Sequence, residues 1–316
     1  MKLVQFWHNS APALGLQTPQ GIVDVQAEAA RRGIKQRVLL RLTPGIDPHT
    51  YEAIATGKVD SKFGAAVETG QAMELVKLAL TLPHLDLRGL HCHVGSQVFG
   101  EDVYQRTLDI MVPFLAQIRD ETGVTLSDLN LGGGYGVRYT QEDEAIDIPA
   151  RLAELAAYLK AAAEKAGLPM PRFLMEPGRS IVADAGMTLY TVGSVKRIPG
   201  YKQYAAVDGG MTDNPRYALY QSRYTVYHAH KSGSMERFDV VGRCCESGDI
   251  IQPGVELPGD TCRGDILAVC TTGAYNYSMA SNYNRLPCPA VVMLTPDRIY
   301  EAVRRETFAD LTALDL

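Results

Sequence analysis

The chain has 316 residues, of which 46% are hydrophobic and 21% charged, and its formal net charge is −5 at pH 7. These values are ordinary for a soluble globular protein, and the acidic balance argues against nucleic acid or an anionic membrane as a partner. No apolar run approaches the roughly 20 residues of a membrane-spanning helix. The first residues lack the apolar core of a signal peptide, and the six cysteines have no disulfide-framework spacing. We therefore expect a cytoplasmic protein with free thiols.

From about residue 21 to residue 187, short apolar runs alternate with segments of helical periodicity. The predicted strands are 38–42, 87–95, 126–134 and 172–176, and the predicted helices are 68–82, 103–121 and 148–167. This alternation predicts βα units with parallel strands. In a parallel (β/α) barrel the active site lies at the carboxyl ends of the strands, so polar residues that follow these strands are candidates for a site.

After about residue 188 the pattern changes to short β-rich segments separated by Gly, Pro and Asp, with no long helix before the final "ETFADLTALDL". This pattern predicts an all-β domain. The predicted fold class is thus α/β plus all-β. Its three parts are an unassigned segment 1–20, a partial parallel (β/α) barrel over 21–187 and a C-terminal β domain over 188–316.

The stretch "FLMEPGRS" places Glu176 and Arg179 directly after an apolar strand and a Pro-Gly turn. An acid and a base at this position would face a ligand at the strand ends. In "LNLGGGYG", the amides of Gly132–Gly134 could cradle a phosphate, although a purely structural turn is about equally consistent with three glycines. The spacing is not that of a dinucleotide site.

In "HCHVGSQ", His91 and His93 are two residues apart and would share one face of a strand. No accompanying ligand set supports a metal, so we predict no metal site. An imidazole packed on an aromatic ligand and an ordinary core histidine both stay open.

Three further loops carry candidate residues. In "VGRCCESGD", a cysteine beside acids could donate a proton, whereas a buried structural thiol is the usual role of a cysteine. The loops "VDGGMTDNPRYALY" and "TTGAYNYSMASNYN" could be solvated turns, but the planar guanidinium of Arg216 would suit a carboxylate. Tyr220 and Tyr275 could close over a substrate.

Taken together, these segments resemble the diaminopimelate decarboxylase family, within the alanine-racemase-like enzymes that use pyridoxal 5′-phosphate. The resemblance runs from about residue 37 to the C-terminus. Seven motifs occur in the family's order, namely "SKFG", "HCHVGSQ", "LNLGGGYG", "EPGRS", "VDGGMTDNPRYALY", "CESGD" and "GAYNYSMASNYN". The resemblance implies a barrel of the alanine-racemase type. It also implies decarboxylation of meso-diaminopimelate to L-lysine, the last step of lysine biosynthesis, by a homodimer with shared active sites.

The resemblance also implies roles for individual residues. His93 would stack on the cofactor ring, Glu176 would meet the ring nitrogen, and Cys245 would donate a proton from the partner subunit. The residues implied to contact the cofactor are His93, Ser96, Gly132, Gly133, Gly134, Glu176, Pro177, Gly178, Arg179 and Tyr275. The residues implied to bind the amino-acid substrate are Arg179, Arg216, Tyr220, Glu246 and Tyr275.

One family feature does not occur in the sequence. Relatives hold the cofactor covalently through a lysine in a Tyr-Ala-x-Lys-Ala-Asn-like motif on an N-terminal segment, and no such motif is present in the 316 residues. We therefore expect a truncated decarboxylase with impaired activity. The alternatives are one half of a split decarboxylase and a non-catalytic protein that retains a cofactor or amino-acid pocket.

Overall fold

The computed structural model describes residues 2–8, 11–18, 21–47, 57, 59–100 and 102–316. Contacts divide the chain into two compact units. The first comprises Met1–Gly136 and Ile146–Gly178, and the second comprises Val137–Ala145 and Arg179–Leu316. The boundary at Gly178 precedes the one suggested by composition at residue 187, and the short segment Val137–Ala145 belongs to the second unit.

The first unit combines strands with three long helices and one shorter one. Its strands are β1 (Lys2–His8), β2 (Ala11–Thr18), β3 (Gly21–Asp24), β4 (Gln36–Thr43), β5 (Ala65–Ala66), β6 (Leu85–His91), β7 (Asp128–Asn130) and β8 (Arg172–Leu174). Its helices are α1 (Val25–Arg32), α2 (Gln71–Thr81), α3 (Asp102–Thr122) and α4 (Ile148–Lys165). Strands β1, β2 and β3 form an antiparallel sheet, although residues 1–20 suggested no element from sequence.

The remaining strands form a parallel sheet in the order β5-β4-β6-β7-β8. Leu40, Leu90 and Leu129 are at most 1% exposed, as expected for parallel strands covered by helices. Helices α2, α3 and α4 contribute Val76, Leu108, Ile118 and Leu159 to the same core. The predicted βα units with parallel strands are confirmed.

Two predicted strands end earlier than their apolar patterns suggested. Strand β6 ends at His91 and β7 ends at Asn130, so His93 and the glycine turn lie in the loops that follow. The histidine pair does not share a strand face, because the chain leaves the sheet between the two residues.

The second unit is built mainly from strands. These are β9 (Met187–Ile198), β10 (Lys202–Val207), β11 (Val226–His228), β12 (Met235–Val241), β13 (Ile250–Pro258), β14 (Ile266–Cys270), β15 (Val291–Leu294) and β16 (Ile299–Val303). Short helices of four or five residues interrupt them: α5 (Arg179–Val182), α6 (Arg216–Tyr220), α7 (Asn276–Met279) and α8 (Phe308–Thr312). A six-stranded sheet in the order β11-β14-β9-β10-β12-β13 surrounds the buried residues Phe238, Ile251 and Leu257. The predicted β domain is confirmed.

Within the described residues, no helix combines the length and the apolar character needed to cross a membrane.

Candidate active site

Four polar side chains mark one edge of the parallel sheet. Arg41 lies near the end of β4, His91 and Asn130 are the last residues of β6 and β7, and Glu176 follows β8 by two residues. Because the strands are parallel, their carboxyl ends meet at this edge. We call these four residues the strand-end cluster.

Glu176 is held on one side and open on the other. Asn130 Nδ2 donates to Glu176 Oε1 at 2.9 Å, and His91 Nε2 lies 3.4 Å from Oε2. The Glu176 backbone amide donates to the Gly132 carbonyl at 2.7 Å. The side chain is nevertheless 58% exposed, so its carboxylate is oriented by the protein while it is still accessible to a ligand.

Both histidines of the "HCHVGSQ" motif are neutral near pH 7. Burial is the main cause that lowers the pKa of His91 from 6.5 to about 4; Arg41 and His93 also lower it, and the Glu176 carboxylate acts in the opposite direction. Burial likewise lowers the pKa of His93, whose Nδ1 accepts the Gly133 amide hydrogen at 3.3 Å. A neutral, half-buried imidazole is suited to packing against a flat ring.

The turn Gly132–Gly134 requires glycine for steric reasons. A Cβ on Gly133 would lie 2.2 Å from the Glu176 carbonyl oxygen, and a Cβ on Gly134 would lie 2.3 Å from the Gly95 carbonyl oxygen. The Gly132 amide donates to Asn130 Oδ1 at 2.8 Å, and the Gly133 amide donates to His93. Two of the three amides predicted to cradle a phosphate are therefore used within the protein. Within the described part of the chain, the Gly134 amide has no such acceptor.

Arg41 lies at the same edge of the sheet, and the sequence reasoning did not select it as a candidate. Its guanidinium lies 4.5 Å from the centre of the Phe63 ring, which explains the aromatic residue in "SKFG". Burial lowers the pKa of Arg41, and the negative charge of Glu176 opposes that effect. The sequence does contain one indication of this position, because Arg41 is a single charged residue within the otherwise apolar end of a buried strand.

Other residues predicted for the first unit take more peripheral positions. Ser96 is half-buried in the loop after His93, and Pro177 and Gly178 are exposed directly after Glu176. A Cβ at Gly178 would meet no atom of the described residues within 4 Å. Packing against these residues therefore does not require a glycine here.

In the second unit, Arg179 and Arg216 are buried among tyrosines. Arg179 donates to the Tyr139 hydroxyl and lies 4.6 Å from the Tyr275 ring centre. Arg216 lies 5.2 Å from the ring of Tyr220 and 5.4 Å from that of Tyr275. Four predicted substrate residues are thus brought together. Tyr139 was missed, because nothing in its local sequence shows that its segment packs with the second unit.

The guanidinium of Arg216 lacks a carboxylate partner among the described residues. It is 4% exposed, and its Nη atoms contact Met279 Sδ at 4.0 Å and Ser222 Oγ at 3.4 Å. The Tyr224 hydroxyl also lies beside the guanidinium, and the buried Nε forms no hydrogen bond among the described residues. Burying an unpaired cation is costly. The surroundings of Arg216 therefore suit an anionic group supplied by a ligand.

Tyr275 has a backbone φ of 71° and a side chain that is not buried. Positive φ is rare for a bulky residue and is often found at functional sites.

Cys245 and Glu246 lie on an exposed loop between β12 and β13. The buried carboxylate of Asp249 anchors this loop by accepting the amides of Cys244 and Met211 at 2.7 and 2.6 Å. Neither Cys245 nor Glu246 forms a hydrogen bond or ion pair with the two arginines in the described part of the chain. Among the described residues, no group of three or more His, Cys, Asp or Glu side chains is arranged to hold a metal.

Comparisons with known proteins identify relatives of this chain. A family model described as "Pyridoxal-dependent decarboxylase, pyridoxal binding domain" matches residues 13–183. A diaminopimelate decarboxylase of Bacillus subtilis (strain 168) is 44% identical over 281 residues, which cover 88% of this chain and 64% of the relative. Among solved structures, diaminopimelate decarboxylase from M. jannaschii gives a TM-score of 0.84 at 32% identity, covering 92% of this chain and 66% of that one. Its co-complex with L-lysine gives 0.82 at the same identity and coverage.

These matches confirm the predicted fold class, an incomplete parallel (β/α) barrel of the alanine-racemase type followed by a C-terminal β domain. Within that class, the chain belongs to the family of pyridoxal-dependent decarboxylases. It spans 64% of the length of the Bacillus subtilis relative.

The cofactor of this family is pyridoxal 5′-phosphate, and the residues of the first unit fit it. Glu176 presents an accessible carboxylate for a ring nitrogen, His93 a neutral flat imidazole, and Gly134 a backbone donor for an anion. The cofactor has a ring nitrogen, a flat ring face and an anionic phosphate. Each of the three protein groups suits one of these parts.

A pH titration of stability tests the environment of His91. The pKa of His91 is 6.5 in the unfolded chain and about 4 in the folded chain. As the pH falls between these values, the unfolded chain therefore binds a proton at His91 more readily than the folded chain does. The free energy of unfolding should decrease over this range, with a His91 contribution on the order of 2 to 3 kcal/mol. Chemical unfolding of wild type and His91→Gln at pH 7.5 and pH 5 should show a weaker pH dependence in the variant. Identical pH dependences would contradict the assignment.

Proposed function

We propose that this chain acts in the pyridoxal-phosphate-dependent decarboxylation of meso-diaminopimelate to L-lysine. The observation that carries the proposal is the Glu176 carboxylate, which Asn130 orients at the strand ends beside the glycine turn. The name and identity of the Bacillus subtilis relative support the choice of substrate. We further propose that the protein is a homodimer, because the resemblance places the proton donor on the partner subunit. We also propose that it is cytoplasmic.

When bound, pyridoxal phosphate accepts the electron pair that is released as carbon dioxide leaves. Glu176 would accept a hydrogen bond from the ring nitrogen, and its negative charge would keep that nitrogen protonated. His93 would pack on the ring face, which a neutral imidazole does without introducing a second charge. The phosphate would lie near Gly134 and Ser96, with Gly132 and Gly133 shaping the turn and Pro177 and Gly178 lining the approach.

We assign substrate binding to the second unit. Arg179 and Arg216 would bind a carboxylate, since a guanidinium fork matches its two oxygens. Tyr220 and Tyr275 contribute rings that pack on Arg216, and Tyr275 would also contact the cofactor, as would Arg179. Glu246 would bind the ammonium group at the same end of diaminopimelate as this carboxylate.

A direct assay separates an enzyme from a binding protein. The chain, supplied with pyridoxal phosphate and meso-diaminopimelate, should release carbon dioxide and L-lysine in equal amounts, but slowly, because the 316 residues lack the lysine motif of the family. Saturable binding of diaminopimelate without gas release would favour the binding protein over the decarboxylase. Calorimetric titration of pyridoxal phosphate into the chain tests the cofactor site independently of turnover.

We assign the proton donor to Cys245, whose exposed position on an anchored loop leaves it accessible. Cys245→Ala should lower turnover by at least about a hundredfold, the usual contribution of a positioned general acid, while the affinity for pyridoxal phosphate stays unchanged. Cys262→Ala, which removes another exposed thiol of the second unit, serves as the matched control. Equal turnover in the two variants would refute the assignment.

A further inference from the structure

The orientation of Glu176 depends on Asn130, the last residue of β7. Asn130 is 6% exposed, and its amide group uses both ends: Nδ2 donates to Glu176 Oε1 at 2.9 Å, while Oδ1 accepts from the Gly132 amide at 2.8 Å. A side chain that donates at one end and accepts at the other is needed here, which asparagine provides and aspartate does not. The residue therefore links the glycine turn to the carboxylate.

Backbone contacts make this link rigid. The Glu176 amide donates to the Gly132 carbonyl at 2.7 Å, and the Glu176 carbonyl oxygen lies so close to Gly133 that a Cβ there would be 2.2 Å away. Thus main-chain contacts fix the turn relative to the segment after β8. The hydrogen bond from Asn130 then fixes the side chain of Glu176 relative to both.

His91 contacts the second oxygen of the carboxylate. Its Nε2 is buried, lies 3.4 Å from Oε2 and forms no hydrogen bond of good geometry within the described residues. This distance is long, but catalytic contacts are often loose without a ligand and tighten when one binds. An ionised carboxylate only accepts hydrogen bonds, so the neutral ring must carry its proton on Nε2 to make this contact favourable.

We propose that Asn130 and His91 are positioning residues, which together hold the Glu176 carboxylate in the orientation that meets the cofactor's ring nitrogen. This inference rests on the proposed function. Among the described residues, Arg41 and His93 also act electrostatically on Glu176 and His91. Asn130 and His91 contact separate oxygens of the Glu176 carboxylate.

Asn130→Asp tests the link, because it keeps the acceptor for the Gly132 amide and removes the donor to Glu176. The affinity for pyridoxal phosphate, measured by calorimetry, should fall at least about tenfold, as loss of a hydrogen bond to a charged group predicts. The absorption band of the bound cofactor, which responds to ring protonation, should shift. The Gly132 amide in the cofactor-free chain should stay protected from hydrogen exchange, whereas a merely structural defect of the turn would remove that protection.

Gln117→Glu is the matched control, because Gln117 Nε2 donates to Glu121 Oε1 at 2.7 Å on the exposed surface of α3. This change should leave cofactor affinity and spectrum unchanged. A second pair of variants covers the case in which Asn130→Asp fails to fold by circular dichroism. His91→Phe should weaken cofactor binding, and His91→Gln, which restores an N–H donor, should recover part of it.

The outcomes separate the two proposals. If Glu176→Gln weakens binding and shifts the spectrum while Asn130→Asp and His91→Phe behave as wild type, the positioning role is overturned and the proposed function stands. If wild type binds no pyridoxal phosphate, or Glu176→Gln binds it as wild type does, the proposed function fails and the positioning role fails with it.

Discussion

Replacing Glu176 by glutamine should weaken the binding of pyridoxal phosphate by about ten- to a hundredfold and reduce decarboxylation further. The neutral amide keeps the size of the side chain but removes the charge that favours a protonated ring nitrogen. A charge-assisted hydrogen bond is replaced by a weaker neutral one. Turnover should fall more than affinity. The reason is that the protonated ring stabilises the electron pair released in the transition state of decarboxylation more than it stabilises the bound cofactor.

The matched control is Glu154→Gln on helix α4. Glu154 is 63% exposed and pairs only with Arg151, at 3.6 Å, among the described residues. This variant should bind the cofactor and turn over substrate as wild type does. Calorimetry gives the affinity, and release of carbon dioxide gives the turnover. Equal behaviour of the two glutamine variants would rule out a cofactor ring at Glu176.

The second large effect is expected for Gly133→Ala. The added methyl group would lie 2.2 Å from the Glu176 carbonyl oxygen, far inside van der Waals contact, so either the turn or the segment after β8 must move. We expect a loss of at least about 2 kcal/mol in the free energy of unfolding, typical of overpacking against a rigid neighbour. Cofactor binding should be lost as well, because this movement misplaces both the turn and Glu176.

Gly193→Ala provides the comparison for this variant. Gly193 lies on strand β9, and apart from its chain neighbours the nearest described atom to a Cβ there would be the Ala206 carbonyl oxygen, at 3.7 Å. Its stability, measured by urea unfolding, should stay within about 0.5 kcal/mol of wild type. If Gly133→Ala were equally well tolerated, the close packing of the turn against Glu176 would be wrong.

Much of the architecture followed from local patterns. Apolar runs and helical periodicity located β4, β6, β7, β8 and the helices between them, because buried parallel strands and amphipathic helices each carry a strong sequence signal. The ends of the strands were harder to place. "LRGLHCHVG" continues as an apolar pattern beyond His91, but the chain leaves the sheet there to form the loop that holds His93.

The antiparallel strands β1 and β2 gave no clear signal. The segment "APALGLQT" contains Pro and Gly, which disfavour a strand on propensity alone, and it is paired residue by residue with β1. Pairing of this kind depends on the partner strand. The amino acids of one short segment, read alone, therefore do not reveal the strand.

The sequence by itself determined the order of βα units, the β-rich second half and the chemical groups that follow the strands, because these depend on neighbours along the chain. The tertiary structure alone decided how the groups are used. It brought Asn130 and His91 to opposite oxygens of Glu176, used the amides of Gly132 and Gly133 within the protein, and packed Tyr139 against Arg179. The physical reason is that hydrogen bonds, steric contacts and burial join residues far apart in sequence, and the folded backbone sets which of them meet.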